Sequence, residues 1–119
     1  MKRTLVLGAS THEYRYANIA IRRLLQHGHE VIPIGIEHGS IEGLEIIIGQ
    51  PPLEKVDTVT IYLNPVKQKE YYQYLISLKP KRIIFNPGAE NPELVQLAQK
   101  NGIETEEACT LVLLSIHQY

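Results

Sequence analysis

The residues best suited to chemistry lie in three short segments, each directly after a run of apolar and β-branched residues. Gly8-Ala9-Ser10-Thr11-His12-Glu13-Tyr14-Arg15-Tyr16 follows Thr4-Leu5-Val6-Leu7. Leu63-Asn64-Pro65-Val66 follows Thr58-Val59-Thr60-Ile61-Tyr62, and Asn86-Pro87-Gly88-Ala89-Glu90-Asn91 follows Arg82-Ile83-Ile84-Phe85. The first segment has the chemistry of an anion cradle. Glycine lets the backbone turn tightly and approach a phosphate closely. Ser10 offers a backbone N–H and a hydroxyl, and the Arg15 guanidinium suits bidentate contacts with phosphate oxygens. The segment is a poor match to a dinucleotide fingerprint with three glycines. Gly8 fits the first position, but Ser10 and Glu13 stand at the other two, and a carboxylate there repels phosphate unless it turns away. The alternative is an ordinary strand-to-helix connection with a solvated Arg15, and spacing alone leaves the two readings level.

Asn86-Pro87-Gly88 reads either as a rigid turn facing a ligand or as ordinary turn chemistry. The remaining candidates are weaker. Glu37 falls too far past Gly8 for the usual ribose-binding acid and reads as a surface loop residue. His12 reads as a solvated loop histidine. His27 and His29 flank Gly28 and read as partners of a helix terminus. His38 and His117 have no visible partners. Cys109 has no histidine paired with it by spacing and reads as a buried structural thiol. Of Tyr71, Tyr72 and Tyr74, only Tyr72 falls on the apolar face of its helix. Tyr71 and Tyr74 are therefore expected at the surface or in self-association. There is no Ser-His-Asp signature, no Walker loop, and no carboxylate pair beside a nucleophile, so no catalytic residues are assigned. The five histidines and one cysteine fit no zinc spacing.

The elements that must position these segments alternate between strand-like and helical periods, the pattern of an α/β fold with a mainly parallel sheet. Thr4-Leu5-Val6-Leu7 is apolar on both faces, as a buried central parallel strand should be. Ala17, Ala20, Ile21, Leu24 and Leu25 recur at helical spacing and stop at Gly28. Val31-Ile32-Pro33-Ile34 is the second strand, its proline marking an end or a lapse in pairing. Residues 45–48 form a short edge strand. Asn64-Pro65 and Asn91-Pro92 each read as a helix start, with Asn as N-cap and Pro in the first turn. Residues 103–106 make a polar edge strand, and residues 111–116 a short apolar helix. These about six strands and four helices predict a three-layer, doubly wound Rossmann-like sheet of order 3-2-1-4-5-6, in a single domain spanning residues 1–119. Ligands of such sheets lie at the carboxyl ends of the strands, where the strand order reverses, and the end of the second strand, Pro33 to Glu37, borders the same crevice.

Composition narrows the function. Of 119 residues 44% are hydrophobic, enough for one domain with its own core. Twelve Lys+Arg against thirteen Asp+Glu give a net charge of −1, which argues against a nucleic-acid binder. No apolar run reaches the ~18 residues of a membrane span. The apolar stretch after Met1-Lys2-Arg3 stops at Gly8, too short for a signal peptide. A single cysteine suits a reducing cytoplasm.

Gly8-Ala9-Ser10, the loop with Arg15, the Gly28 stop, Val31-Ile32-Pro33-Ile34, the strand from Asp57 to Leu63, Asn86-Pro87-Gly88 and Ala108-Cys109 follow one another in a familiar order. The chain resembles the stand-alone CoA-binding domain proteins, which are similar to the N-terminal CoA-binding domain of succinyl-CoA synthetase α subunits. The resemblance runs from about Lys2 to Cys109. It implies a Rossmann-like crevice that takes the ADP part of CoA. Gly8, Ser10 and Arg15 match the family's first phosphate-side loop, in which Ala9 and Tyr16 also lie. Pro33 matches the proline of its Pro-Val-Asn-Pro segment, where this chain continues as Gly35-Ile36. Asn64 and Pro65 fall where the family has an Arg- or Pro-containing loop, and Asn86, Pro87 and Gly88 match its Gln-x-Gly segment. The expectation is a cytoplasmic binding module for CoA or a related adenine nucleotide, with no catalysis of its own. The alternatives are an NAD(P)-linked enzyme, a subunit of a CoA-dependent enzyme, and a structural homodimer without ligand.

Overall fold

The computed structural model describes all residues from Met1 to Tyr119. The chain runs β1 (Arg3–Leu7), α1 (Tyr16–Gln26), β2 (Glu30–Ile34), β3 (Ser40–Ile41), β4 (Leu44–Glu45), β5 (Thr58–Ile61), α2 (Pro65–Gln68), a 3-10 turn (Lys69–Tyr71), α3 (Tyr72–Ser77), β6 (Arg82–Phe85), α4 (Pro92–Lys100), β7 (Glu104–Glu107) and α5 (Thr110–Ser115). The main sheet has five strands in the order β2-β1-β5-β6-β7, all parallel. β3 and β4 form a separate antiparallel hairpin.

Alternation along β1 sends Leu5 and Leu7 to one face of the sheet and Val6 to the other. On the Leu5 side the core also takes Tyr71, Tyr74 and Leu75 beside Leu94 and Ala98 of α4. On the Val6 side lie Ala17, Ile21 and Leu24 of α1, Leu114 of α5 and Ile41 of the hairpin. This is the predicted three-layer α/β fold. Both Asn caps form as the sequence indicates. The Asn64 side chain accepts from the Lys67 N–H at 3.0 Å, and that of Asn91 from the Leu94 N–H at 3.2 Å.

Two expectations are corrected. The strand order keeps the 2-1-4-5-6 part of the expected sheet but loses its third strand. Residues 45–48 lie where that strand belongs, yet they contribute a single parallel bridge, Ile34 to Ile47. Pro33 explains the short pairing. Its carbonyl accepts from the Ile47 N–H at 2.9 Å, but the next rung lacks an N–H donor because Pro33 has none. The surface expectation for Tyr71 and Tyr74 is also overturned, while Tyr72 packs against the core as expected. Tyr71 and Tyr74 are 6% and 9% exposed, whereas Tyr72 is half-buried. The 3-10 turn has three residues per turn and shifts the helical phase before α3 begins. The segment before β5 then covers the shifted face, and the Tyr74 hydroxyl donates to the Pro51 carbonyl at 2.7 Å. Neither tyrosine offers a surface for self-association.

The carboxyl end of the sheet is knit by two buried side-chain amides. Asn86, just past β6 and 2% exposed, donates to Thr60 Oγ1 at 2.6 Å and to the Ile61 carbonyl at 3.0 Å. Its own oxygen accepts from the Thr110 N–H at 2.9 Å, which ties α5 to the sheet. Gln68, fully buried, donates to the carbonyls of Leu63 and Ala89, both at 2.8 Å, and accepts from Asn91 Nδ2 at 2.9 Å. Replacing Asn86 by leucine keeps the branching and the number of heavy atoms and removes these bonds. An orphaned buried donor costs about 1–3 kcal/mol, so N86L is expected to lower Tm by about 5–10 °C in a thermal melt, with a matching fall in the denaturation midpoint. An unchanged melt would remove this role.

The end of β2 also presses on the first loop. A Cβ on Gly35 would lie 2.5 Å from the Ala9 carbonyl oxygen. That spacing accounts for a glycine at this position. Gly35→Ala is expected to cost about 1–3 kcal/mol and to speed amide exchange at Gly8 and Ala9, whose N–H groups donate to the Ile34 carbonyl, read by hydrogen exchange.

Candidate functional site

The loops after β1, β2, β5 and β6 enclose a crevice of about 420 Å³ at the carboxyl end of the sheet. Gly8, Ala9, Ser10, His12 and Arg15 form one wall. Tyr62, Leu63, Asn64 and Lys67 form a second, Pro87 and Gly88 border it, and Ile36 and Glu37 close the β2 side. Of the residues expected from the sequence, the crevice thus gathers Gly8, Ala9, Ser10, Arg15, Asn64, Pro87 and Gly88. Tyr16 and Asn86 line a smaller adjoining pocket instead. Pro33 is buried within β2, and Pro65 sits half-buried in the first turn of α2; neither reaches the crevice.

The first loop is shaped by its backbone. Gly8 takes φ +101, a conformation that disfavours any side chain, and a Cβ there would also meet Leu63 at 3.2 Å. The Ile34 carbonyl accepts from both the Gly8 and the Ala9 N–H, at 2.8 and 2.9 Å, so these two amides are engaged inside the fold. The N–H groups of Ser10 and Thr11 have no acceptor in the protein. Those of Tyr16, Ala17 and Asn18 in the first turn of α1 are also free, and no side chain caps that helix. The Asn18 side chain donates to the Ser10 carbonyl at 2.8 Å and holds the loop against the helix start. Oriented N–H groups beside an uncapped helix N-terminus favour an anion.

Two cations face the crevice unpaired. The ion pairs of this fold are Arg3 with Glu30, Lys81 with Asp57, and Arg82 with Glu106. Arg22 donates to the Asn18 side chain and to the Glu13 carbonyl. Arg15 and Lys67 make no side-chain hydrogen bond or ion pair. Glu13 is exposed and not part of the lining, so it does not oppose an anion from within.

Lys67 and Tyr62 were not singled out from the sequence, and His12 and Glu37 were undervalued; Leu63 and Ile36 fall in segments expected to border the crevice. Lys67 was within reach: an Asn cap at position 64 places residue 67 in the first turn of the helix, beside the strand end. Glu37 lies on the crevice wall, in the segment after β2 expected to border it, although its distance from Gly8 reads as that of a surface residue. Tyr62 divides the crevice from the adjoining pocket and lines both. Its hydroxyl is buried without a hydrogen-bond partner, and burial pushes the phenol well above its ordinary pKa. Nowhere do three His, Cys, Asp or Glu side chains gather as a metal centre requires. No helix is long and apolar enough to cross a membrane.

Comparison with solved structures supports the same architecture. A crystal structure of an uncharacterized protein is 52% identical, with a TM-score of 0.98 over 100% of this chain and 98% of that one. A hypothetical protein from Pyrococcus horikoshii OT3 is 25% identical, with a TM-score of 0.84 over 93% of this chain and 80% of that one. A conserved hypothetical protein from Pyrococcus furiosus is 26% identical, with a TM-score of 0.76 over 89% and 92%. Comparison with curated proteins gives no match. The model of the CoA binding domain family matches residues 2–115, and the chain belongs to that family.

Proposed function

We propose that this protein is a cytoplasmic binding module that holds CoA, or a closely related adenine nucleotide, through its diphosphate, without catalysing a reaction itself. One observation carries the reading. At the carboxyl end of a parallel sheet, a glycine turn, free backbone N–H groups and two unpaired cations face one crevice. The central diphosphate would lie against the Ser10 N–H and the start of α1, with Arg15 and Lys67 supplying positive charge. Membership of the CoA binding domain family supports CoA as the ligand.

Glu37 favours a second reading. It lines the crevice after β2, the side on which dinucleotide sites place an acid that accepts from ribose hydroxyls. A carboxylate there suits NAD, whose adenosine ribose carries free hydroxyls.

Calorimetric titration with CoA, ADP, NAD and NADP separates the two. CoA and ADP are expected to bind and NAD to bind weakly. Charge-assisted hydrogen bonds contribute about 1.5–3 kcal/mol, so Arg15→Ala is expected to weaken CoA about 10- to 100-fold. Lys67→Ala is expected to act in the same direction. Since Arg15 is exposed and unpaired, Tm without ligand should stay within about 1 °C of wild type. Added salt should weaken CoA as it screens both cations. Tight NAD binding with no response to CoA would overturn the first reading in favour of the second.

A further inference from the structure

The crevice does not end at Tyr62. Beyond that ring and Pro87, both of which line it, lies a second pocket of about 180 Å³, closed by Tyr16, Asn86, Cys109 and Leu111. It sits on the β6 and β7 side, opposite the Ile36 and Glu37 wall, so a ligand whose anionic centre occupies the cradle has one end directed here.

The chemistry of this pocket is set by what its polar groups already do. Asn86 is its only amide, and both its donors and its acceptor are engaged by Thr60, Ile61 and Thr110. The Tyr62 hydroxyl is buried away from the pocket space, leaving the ring as the wall. No cation lines it. The surface therefore presents Tyr16, Tyr62, Pro87, Leu111 and the Cys109 thiol, mostly carbon and with no cation to pair a carboxylate. At about 30 Å³ per water-sized group, the space takes roughly six heavy atoms. That is a sulfur with its neighbouring carbons and a short acyl chain.

On the CoA reading above, we propose that this pocket takes the thioester end of the ligand and selects a short, uncharged acyl group of about two to four carbons. It would reject acyl groups that carry a carboxylate, because burying an unpaired charge against carbon and a filled amide is costly. Long chains would exceed its volume.

The test is calorimetric titration of the intact protein with ADP, CoA, acetyl-CoA, butyryl-CoA, succinyl-CoA and palmitoyl-CoA. A buried methylene contributes about fourfold in affinity, so butyryl-CoA, with two more methylenes, is expected to bind about 15-fold more tightly than acetyl-CoA. Succinyl-CoA, similar in length, should bind no better than CoA, and palmitoyl-CoA less well than butyryl-CoA. Leu111→Trp fills the pocket and should abolish the butyryl preference while leaving ADP affinity unchanged. Leu111→Ala, which removes atoms and guards against misfolding of the larger variant, should shift the optimum to a longer acyl chain. Succinyl-CoA binding as tightly as butyryl-CoA, or a butyryl preference untouched by both variants, would overturn the pocket assignment while ADP binding upholds the diphosphate site. Failure of ADP and of every thioester to bind would overturn both.

Discussion

The site depends on how the carboxyl end of the sheet satisfies its own polar groups. Where strands of a parallel sheet stop, their last carbonyls and amides lose ladder partners and must find others. Two buried carboxamides meet that demand. Asn86 bridges the end of β5 to the first N–H of α5, and Gln68 bridges the loops after β5 and β6 while receiving Asn91. An amide suits this task because it both donates and accepts yet carries no charge, so its burial avoids the penalty an ion pays in a low-dielectric interior. With these loops pinned from beneath, Asn64, Lys67, Pro87 and Gly88 are held at the crevice edge.

The same division of labour shows in the charged side chains. Arg3, Lys81 and Arg82 have carboxylate partners, and Arg22 is held by the start of α1. Arg15 and Lys67 are unpaired, as are several surface cations away from the site, and these two face the crevice. A chain with a net charge of −1 has no broad basic surface with which to attract an anion. Its anion site must be local, made from two side chains and backbone dipoles converging on one place. The β1 to α1 loop achieves this because the Ile34 carbonyl holds Gly8 and Ala9 and Asn18 holds Ser10, which leaves the N–H groups after Ala9 free.

Features governed by local chemistry were legible in the sequence. The Asn-Pro caps of α2 and α4, the doubly apolar β1 and the polar edge strand β7 follow from residue type and spacing, and together they locate the crevice. What was hidden depends on partners far along the chain. The faces of Tyr71 and Tyr74 could not be assigned because a 3-10 turn breaks the helical phase and a segment some twenty residues earlier covers the result. Residues 45–48 have the composition of a strand, but a proline in β2 decides how much of it pairs. Asn86 looked like a ligand-facing group because it stands at a central strand end. Its neighbours Thr60 and Thr110, fifty residues apart in sequence, are what turn it inward.

This separation of local from distant bears on how such a domain could discriminate among ligands. A diphosphate is common to many nucleotides, so a cradle of N–H groups and two cations supplies affinity with little selectivity. Selectivity has to come from the ends, and the topology gives the crevice two unlike ends. The β2 side carries the carboxylate of Glu37, and the β6 and β7 side an apolar pocket closed by Cys109 and Leu111. They differ because β2 and β7 are opposite edges of the sheet, with α1 and α5 packed together on one face between them. One end therefore reads hydrogen-bonding groups and the other reads size and charge. A substitution at Leu111 should change which thioester is preferred without disturbing the diphosphate, whereas one at Arg15 should weaken every ligand alike.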